Sequence, residues 1–156
     1  MSIFSVIWIE CANEIGIVLT RWYVDSSVVL RVVKEGSVAT AAWFESAAVG
    51  GQFVASKLME LEVLRTLHNN HADTRNAEIL IKRFALLGLD DSLADEAAEL
   101  GPSLAAGDAL HIASALRVGG PITVVTHDAQ MAVAAQQLGL AVLDPVTDDP
   151  TRPPVM

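Results

Sequence analysis

Residues 107–128, GDALHIASALRVGGPITVVTHD, place a helix, a turn and an apolar strand in direct succession. The alanine-rich first half predicts a helix that begins at Gly107–Asp108 and ends at Gly119–Gly120. The run ITVVT that follows is apolar and β-branched, which is typical of a strand buried inside a sheet. This stretch therefore predicts one helix–strand unit of an α/β fold.

The rest of the chain repeats this alternation of apolar strands and helices. The run WYV before Asp25, residues 52–56 (QFVAS) and residues 140–144 (LAVLD) have the length and composition of buried strands. One predicted helix directly follows Asp25. The others cover residues 37–49, 57–68, 73–87, 92–100, 107–118 and 128–139. Because continuous apolar strands separated by helices form parallel sheets covered on both faces, we predict a three-layer α/β/α fold with a central, mainly parallel sheet.

Two of these helices carry more detailed expectations. In helix 57–68, leucines at positions 58, 61, 64 and 67 predict one apolar face, and Glu62 and Arg65 share a neighbouring face. Residues 73–87 are predicted to form a single amphipathic helix that ends at Gly88.

With 156 residues, of which 52% are hydrophobic and 19% charged, the chain has the size and composition of one compact domain. We expect the domain to cover residues 21–146 and to be followed by a mobile, proline-rich tail at 147–156. Residues 1–20 are expected to be an extension that is poorly ordered or an over-called start; the alternative is that this apolar stretch packs on the domain or at a dimer contact. The extension lacks a basic start and contains Glu10 and Glu14, which argues against a signal peptide or membrane span and predicts a cytoplasmic protein.

The formal net charge of −9 restricts how the chain could bind nucleic acid. Phosphate backbones are normally bound by a basic face, which a protein with a pI near 4.7 does not offer. A polyanionic substrate would need metal ions or a few well-placed basic side chains. The charge therefore argues against a broad nucleic-acid surface but not against a carboxylate site.

Acidic residues stand where parallel α/β folds bind their ligands. Asp25 and Asp128 come at or just after the carboxyl ends of two predicted strands, beyond which such sheets bind ligands. Taken singly, these two and Asp108 could be helix caps, and Glu62 could form a surface ion pair. His111, one turn after Asp108, is more typical of a hydrogen-bonded helix residue than of a ligand or base. Taken together, three or four carboxylates can hold Mg²⁺, which prefers oxygen ligands.

Four segments occur in an order that is characteristic of a known family. They are YVDSSVVL (23–30), SKLMELEVLRTL (56–67), LAAGDALHIASAL (104–116) and VVTHDAQMAVAAQQLGLAVLDP (124–145). They resemble the motifs of the PIN-domain ribonucleases, specifically the VapC toxins of bacterial toxin–antitoxin pairs. The resemblance spans Trp22 to Pro145. It implies a PIN-like α/β/α fold and hydrolysis of RNA by metal-activated water, which leaves a 5′-phosphate and a 3′-hydroxyl.

The resemblance also implies roles for the four acids. Asp25 and Asp108 would be the main ligands of Mg²⁺, for which Mn²⁺ could substitute. Glu62 matches the family's helical glutamate because Val-Leu-Arg-Thr-Leu follows it, whereas Glu60 does not fit that register. Asp128 would be the fourth acid, held to the metal through water.

Hydroxyl and basic side chains complete the implied site. Ser26 or Ser27, together with Thr126, would position waters or carboxylates around the ion. The candidates for holding the RNA backbone are Arg65, Arg31 and Lys57.

The resemblance further implies two protein partners. One is a VapB-type antitoxin, a small DNA-binding protein whose tail covers the acidic site and whose basic charge would suit this acidic chain. The other is a second copy of the chain in a homodimer. Trp43 and Phe44 are candidates for the dimer contact and equally for the core.

Two other function classes remain open at this point. The chain could be a catalytically silent PIN-like domain that only binds its partner, because the sequence alone does not separate this from an active enzyme. It could also be a receiver-type signalling module that is phosphorylated at Asp25. Such a module would need a lysine near its last strand, and no lysine follows Lys82.

Overall fold

The computed structural model describes residues 20–101 and 103–145. The strands in this part of the chain are β1 Thr20–Val24, β2 Gly51–Ser56, β3 Phe84–Leu87, β4 Ile122–Val125 and β5 Ala141–Leu143. The helices are α1 Ser26–Val33, α2 Val38–Ala48, α3 Lys57–Asn69, α4 Arg75–Ile81, α5 Asp91–Ala98, α6 Ala106–Val118 and α7 Ala129–Gln137. Residues 1–19, nearly all of the expected extension, and the expected tail at 147–156 lie outside the described residues.

The five strands form one sheet in the order β3-β2-β1-β4-β5, and every neighbouring pair is parallel. Helices α1 to α4 cover one face of it, and α6 and α7 cover the other, with α5 packed against α6. Successive residues of a strand point to opposite faces, so Val24 enters the first core cluster and Tyr23 the second. The predicted three-layer α/β/α fold with a parallel central sheet is confirmed.

The prediction of a single helix over residues 73–87 is wrong. Helix α4 ends at Ile81, and Phe84–Leu87 form the edge strand β3, which pairs with β2. Phe84 and Ala85 are buried in that position. A four-residue apolar run such as FALL has no periodicity that separates a strand from the end of a helix, so only the partner strand decides.

The apolar face predicted for helix 57–68 is confirmed only at Leu67. Its buried residues are Met59, Val63 and Leu67, whereas Leu61 is 54% exposed. The buried side chains follow the four-residue spacing of a helix that packs on a sheet, rather than the three-residue steps of the leucines. Glu62 consequently lies beside the buried stripe and points toward the sheet edge described below.

The aromatic residues of α2 belong to the core cluster on the first face. Phe44 is 1% exposed and packs against Phe53 and Phe84, with ring centroids 5.2 and 6.3 Å away. Trp43 is partly buried against the same cluster. Of the two interpretations left open for this pair, the structure favours the core. In the part of the chain that is described, no helix has both the length and the apolar character needed to cross a membrane.

Candidate active site

Two neighbouring strands deliver the first site residues to one edge of the sheet. β1 and β4 pair with Val24 opposite Val125, so Asp25 and Thr126 emerge side by side where the strands end. The hydrogen bonding between the two strands extends to this point, because the Asp25 amide donates to the Val125 carbonyl at 3.0 Å. The sequence-predicted position of Asp25 at a strand end is therefore what the structure shows.

Asp25 is held by hydroxyl groups and is only 6% exposed. It occupies the N-cap position of α1, but its side chain accepts no capping hydrogen bond from the helix. Instead, Ser27 Oγ and Thr126 Oγ1 each donate to Asp25 Oδ2 at 2.8 Å, and Ser26 Oγ donates to Oδ1 at 3.3 Å. Because Oδ2 already has two donors, Oδ1 is the oxygen left to face the other site residues.

Glu62 and His111 meet Asp25 from two further helices, α3 and α6. His111 Nε2 lies 2.6 Å from Glu62 Oε1 and 3.7 Å from Asp25 Oδ1, and its Nδ1 lies 3.0 Å from the Tyr23 hydroxyl. Single donor atoms of Asp25, Glu62 and His111 all lie within 4.8 Å of one another. His111 is hydrogen-bonded, as the sequence suggested, but it is also a member of the site, which the sequence analysis missed. Its place one turn after Asp108 on the same helix was the available signal.

Asp108 lies in the first turn of α6, not at its cap. The helix begins at Ala106 with Ala105 as N-cap, so the prediction that Asp108 could cap this helix is wrong. Burial raises the pKa of Asp108, and the negative charges of Asp128 and Asp25 raise it further. This repulsion places Asp108 in the same electrostatic cluster as the acids at the strand ends.

Asp128 has a structural task as well as a place in the cluster. It is the N-cap of α7, and its Oδ1 accepts from the amides of Gln130 and Met131 at 2.9 and 3.2 Å. Its own amide donates to Thr126 Oγ1 at 3.0 Å. The turn from β4 into α7 is therefore tied to Asp25 through Thr126, while Oδ2 of Asp128 takes no part in the cap.

The charge of His111 partly offsets these acids. Burial alone would lower the pKa of His111, but the hydrogen bond with Glu62 and the charge of Asp25 outweigh it, so the pKa is raised. The carboxylates around the imidazole thus favour its cationic form. Glu60, the rival of Glu62, instead forms an ion pair with Lys57 at 2.9 Å on the exposed side of α3.

The basic residues predicted to hold substrate do not all reach the site. Arg65 is exposed one turn after Glu62 and has no hydrogen bond or ion pair with any described residue. Arg31 forms an ion pair with Glu35. A pocket of about 340 Å³ opens beside Asp128 and is lined by Arg31 of α1, by Lys34 directly after this helix and by the turn at His127.

A buried histidine–aspartate pair supports that turn from the side of β5. His127 Nδ1 lies 2.5 Å from Asp144 Oδ1, and both side chains are about 5% exposed or less. The His127 amide donates to Ser27 Oγ at 3.1 Å, so the same hydroxyl that holds Asp25 also fixes this turn. The sequence analysis did not predict this pair, whose members lie 17 positions apart.

The donor set fits a divalent cation. Asp25 and Glu62 offer oxygen atoms of the kind that Mg²⁺ and Mn²⁺ prefer, and the charges of Asp25 and Asp128 act on the nearby Asp108. The hydroxyls around Asp25 Oδ2 are the sort of supporting hydrogen bonds that orient a ligating carboxylate.

Comparisons with known proteins point to one family. The sequence model of the PIN domain matches residues 22–137. No match was found among curated proteins. Among solved structures, the chain is similar to VapBC2 from Rickettsia felis bound to a DNA fragment from their promoter, with a TM-score of 0.65, 12% identity and coverage of 80% of this chain and 98% of that chain.

Two further solved structures show the same likeness. A toxin-antitoxin complex from Klebsiella pneumoniae matches with a TM-score of 0.63, 16% identity and coverage of 81% of this chain and 98% of that chain. FitAcB from Neisseria gonorrhoeae matches with a TM-score of 0.61, 21% identity and coverage of 80% and 97%. At these identities the likeness shows a shared fold.

Proposed function

The chain belongs to the PIN domain family, and we propose that it is a metal-dependent endoribonuclease, the toxin of a type II toxin–antitoxin pair. The observation that carries this proposal is the convergence of carboxylates from separate elements at one edge of the sheet. Burial raises the pKa of Asp108, and the negative charges of Asp128 and Asp25 raise it further, so the ionised cluster is unfavourable without a counter-charge. A divalent cation would offset the repulsion between these carboxylates, which supports the proposal of a metal site.

In this proposal Asp25 and Asp108 hold the metal, Mg²⁺ with Mn²⁺ as a substitute. When bound, the ion would lower the pKa of a coordinated water and neutralise charge on the phosphodiester. The hydroxyls of Ser26, Ser27 and Thr126 keep Asp25 in one orientation. Water adds to phosphorus and the bond to the 3′-oxygen breaks, which leaves a 5′-phosphate and a 3′-hydroxyl.

Glu62 and Asp128 would act on water rather than as main ligands. One oxygen of each is already used, by His111 for Glu62 and by the α7 amides for Asp128. The second oxygen of each remains to orient a water or to take up its proton. The hydrogen bonds of Glu62 and Asp128 support this division, which agrees with the looser role that the family resemblance implies for Asp128.

RNA would be held by a small number of cations near the cluster. Arg65, one turn beyond Glu62, is the proposed contact on the α3 side. Arg31 and Lys34 line the pocket beside Asp128 and would contact the RNA backbone on the other side of the site. Few such contacts are expected, because the net charge of −9 disfavours a broad phosphate-binding surface.

The partner proposals rest on likeness of fold. The solved structures that resemble the chain include a toxin-antitoxin complex and VapBC2. We therefore propose a VapB-type antitoxin that places a basic side chain among the carboxylates, a homodimer as the working assembly, and a cytoplasmic location.

Two alternatives from the sequence can be weighed against the site. A receiver-type module needs an accessible phosphoacceptor, and Asp25 is 6% exposed with both oxygens accepting hydrogen bonds. This disfavours phosphorylation. A catalytically silent PIN-like domain would keep the same fold and is separated from the proposal by the experiment below.

The test is cleavage of structured RNA in Mg²⁺ or Mn²⁺ by the full chain and by Asp25→Ala and Asp108→Ala. Asp95→Ala, which removes an exposed acid of α5, is the matched control. We expect cleavage by the wild type and the control, and loss of about 100-fold or more in both site variants. Equal cleavage in all four proteins would rule out the site, and absence of cleavage in all would favour the silent domain.

A further inference from the structure

His111 is a buried side chain that can carry a positive charge and that contacts two of the site carboxylates. It is 1% exposed, and its partner Tyr23 is fully buried. Its ring bridges three elements, because Nδ1 meets the hydroxyl of Tyr23 on β1 while Nε2 meets Glu62 on α3. The ring therefore cannot turn without breaking a buried hydrogen bond.

The partners of His111 determine where its protons lie. Glu62 Oε1, as a carboxylate oxygen, only accepts, so the 2.6 Å contact requires a hydrogen on Nε2. Burial raises the pKa of Tyr23, so its hydroxyl stays protonated. That hydroxyl donates to Nδ1 of a neutral ring or accepts from Nδ1 of an imidazolium. In both states Nε2 carries a hydrogen that points at Glu62, and it has no lone pair for a metal.

We propose that His111 is a positioning residue, which holds Glu62 beside Asp25 through its Nε2–H and contributes no ligand to the metal. The inference rests on the proposed metal-dependent function and assigns separate roles to His111 and Glu62 within the site. Glu62 has a 38% exposed side chain and could turn toward solvent without this tether. When the tether is present, His111 fixes Oε1 of Glu62, and Oε2 of Glu62 is left for the metal or its water.

The opposite reading makes His111 a direct ligand. Its Nε2 is close enough to both carboxylates to share an ion with them. That arrangement would require Nε2 to lose its hydrogen and its bond to Glu62, and it would favour Zn²⁺ or other ions that bind imidazole well. The two readings predict different spectra and different effects of substitution.

The experiment measures Mn²⁺ binding to the full chain by electron paramagnetic resonance, with no RNA present. His111→Leu removes the Nε2–H, whereas His111→Gln keeps an amide N–H that can reach Glu62. His68→Leu changes an exposed histidine of α3 and is the control. We expect Mn²⁺ affinity to fall about 10- to 100-fold in His111→Leu, to recover most of that loss in His111→Gln, and to stay unchanged in His68→Leu.

A purely structural role would lower the melting temperature of His111→Leu and His111→Gln without separating their Mn²⁺ affinities. Equal Mn²⁺ affinity in His111→Leu and His111→Gln would therefore overturn the proposal. A directly coordinated nitrogen in the electron spin echo spectrum of bound Mn²⁺ would overturn it as well. If the wild type bound no Mn²⁺, the proposed function itself would fail, and the two failures are thus distinct.

Tyr23→Phe keeps the experiment decisive if His111→Leu does not fold. This variant preserves the buried ring and removes only the hydroxyl at 3.0 Å from Nδ1. We expect a several-fold loss of Mn²⁺ affinity together with a spectrum free of coordinated nitrogen. Unchanged Mn²⁺ affinity in Tyr23→Phe would count against the tether.

Discussion

Thr126 is the side chain whose hydroxyl joins the two strand ends of the site, and Thr126→Val tests that link. The hydroxyl is fully buried, donates to Asp25 Oδ2 at 2.8 Å and accepts from the Asp128 amide at 3.0 Å. Valine has nearly the same shape, so the variant removes both hydrogen bonds and leaves their two partner groups without this hydroxyl. The expected effect is therefore electrostatic and not a matter of packing.

The expected size follows from the two bonds. A hydrogen bond to a charged acceptor contributes about 1.5–3 kcal/mol, and a neutral one about 0.5–1.5 kcal/mol. Their joint loss should lower the free energy of unfolding by about 2–4.5 kcal/mol. Mn²⁺ affinity should fall about 10-fold or more, because Asp25 loses one of the donors that fix its orientation.

The assay is urea unfolding of the metal-free protein, followed by Mn²⁺ titration of the folded variants. Thr123→Val is the matched control, since Thr123 lies on the same strand and its hydroxyl makes no hydrogen bond to a described side chain. We expect the control to change the unfolding free energy by less than about 0.5 kcal/mol. If Thr126→Val were as stable as the control and bound Mn²⁺ equally well, the hydroxyl would not connect Asp25 to Asp128.

Three further predictions concern the acids and the core. Asp108→Asn should raise the melting temperature of the metal-free protein at neutral pH. The pKa of Asp108 is raised in the folded state, so the wild type loses stability as the pH rises from about 3.8 through the folded-state pKa. Scanning calorimetry across pH checks this, and a variant no more stable than the wild type at pH 7 would contradict it. Glu62→Gln should weaken Mn²⁺ binding, whereas Glu60→Gln should not, because Glu60 pairs with Lys57; calorimetric titration would expose equal effects. Phe44→Ala should cost about 3–5 kcal/mol in urea unfolding, since it empties a buried aromatic cluster, and a loss below about 1 kcal/mol would refute that packing.

The sequence predicts four of the five strands of the sheet. β1, β2, β4 and β5 each appear as a continuous apolar run next to a helix, and their strand ends place Asp25 and Asp128 correctly at one edge. β3 could not be predicted in the same way. Its four residues follow α4 with only two intervening positions, and their strand geometry depends on pairing with β2, which is distant in sequence.

The residues of the site, like the strands, could be predicted from the sequence only in part. Each acid could be named from the chain, but the choice of Glu62 over Glu60 needed the family register, and the structure gives its physical basis in the two directions these side chains take. His111 was visible only as a helix residue. Its partners, Tyr23 and Glu62, lie 88 and 49 positions away, and no local pattern encodes such contacts.

The charge of the chain explains why a metal is central to the proposed activity. The sequence has ten lysines and arginines, of which Arg152 lies outside the described residues, and five of the remaining nine form ion pairs with described acids. Little positive charge is left to attract a polyanion toward four carboxylates. Without a cation, phosphate would meet net repulsion at the sheet edge. A divalent ion held by Asp25 and Asp108 would cancel the charge of those two carboxylates and could bind phosphate directly, so binding of RNA and its hydrolysis would depend on the same ion.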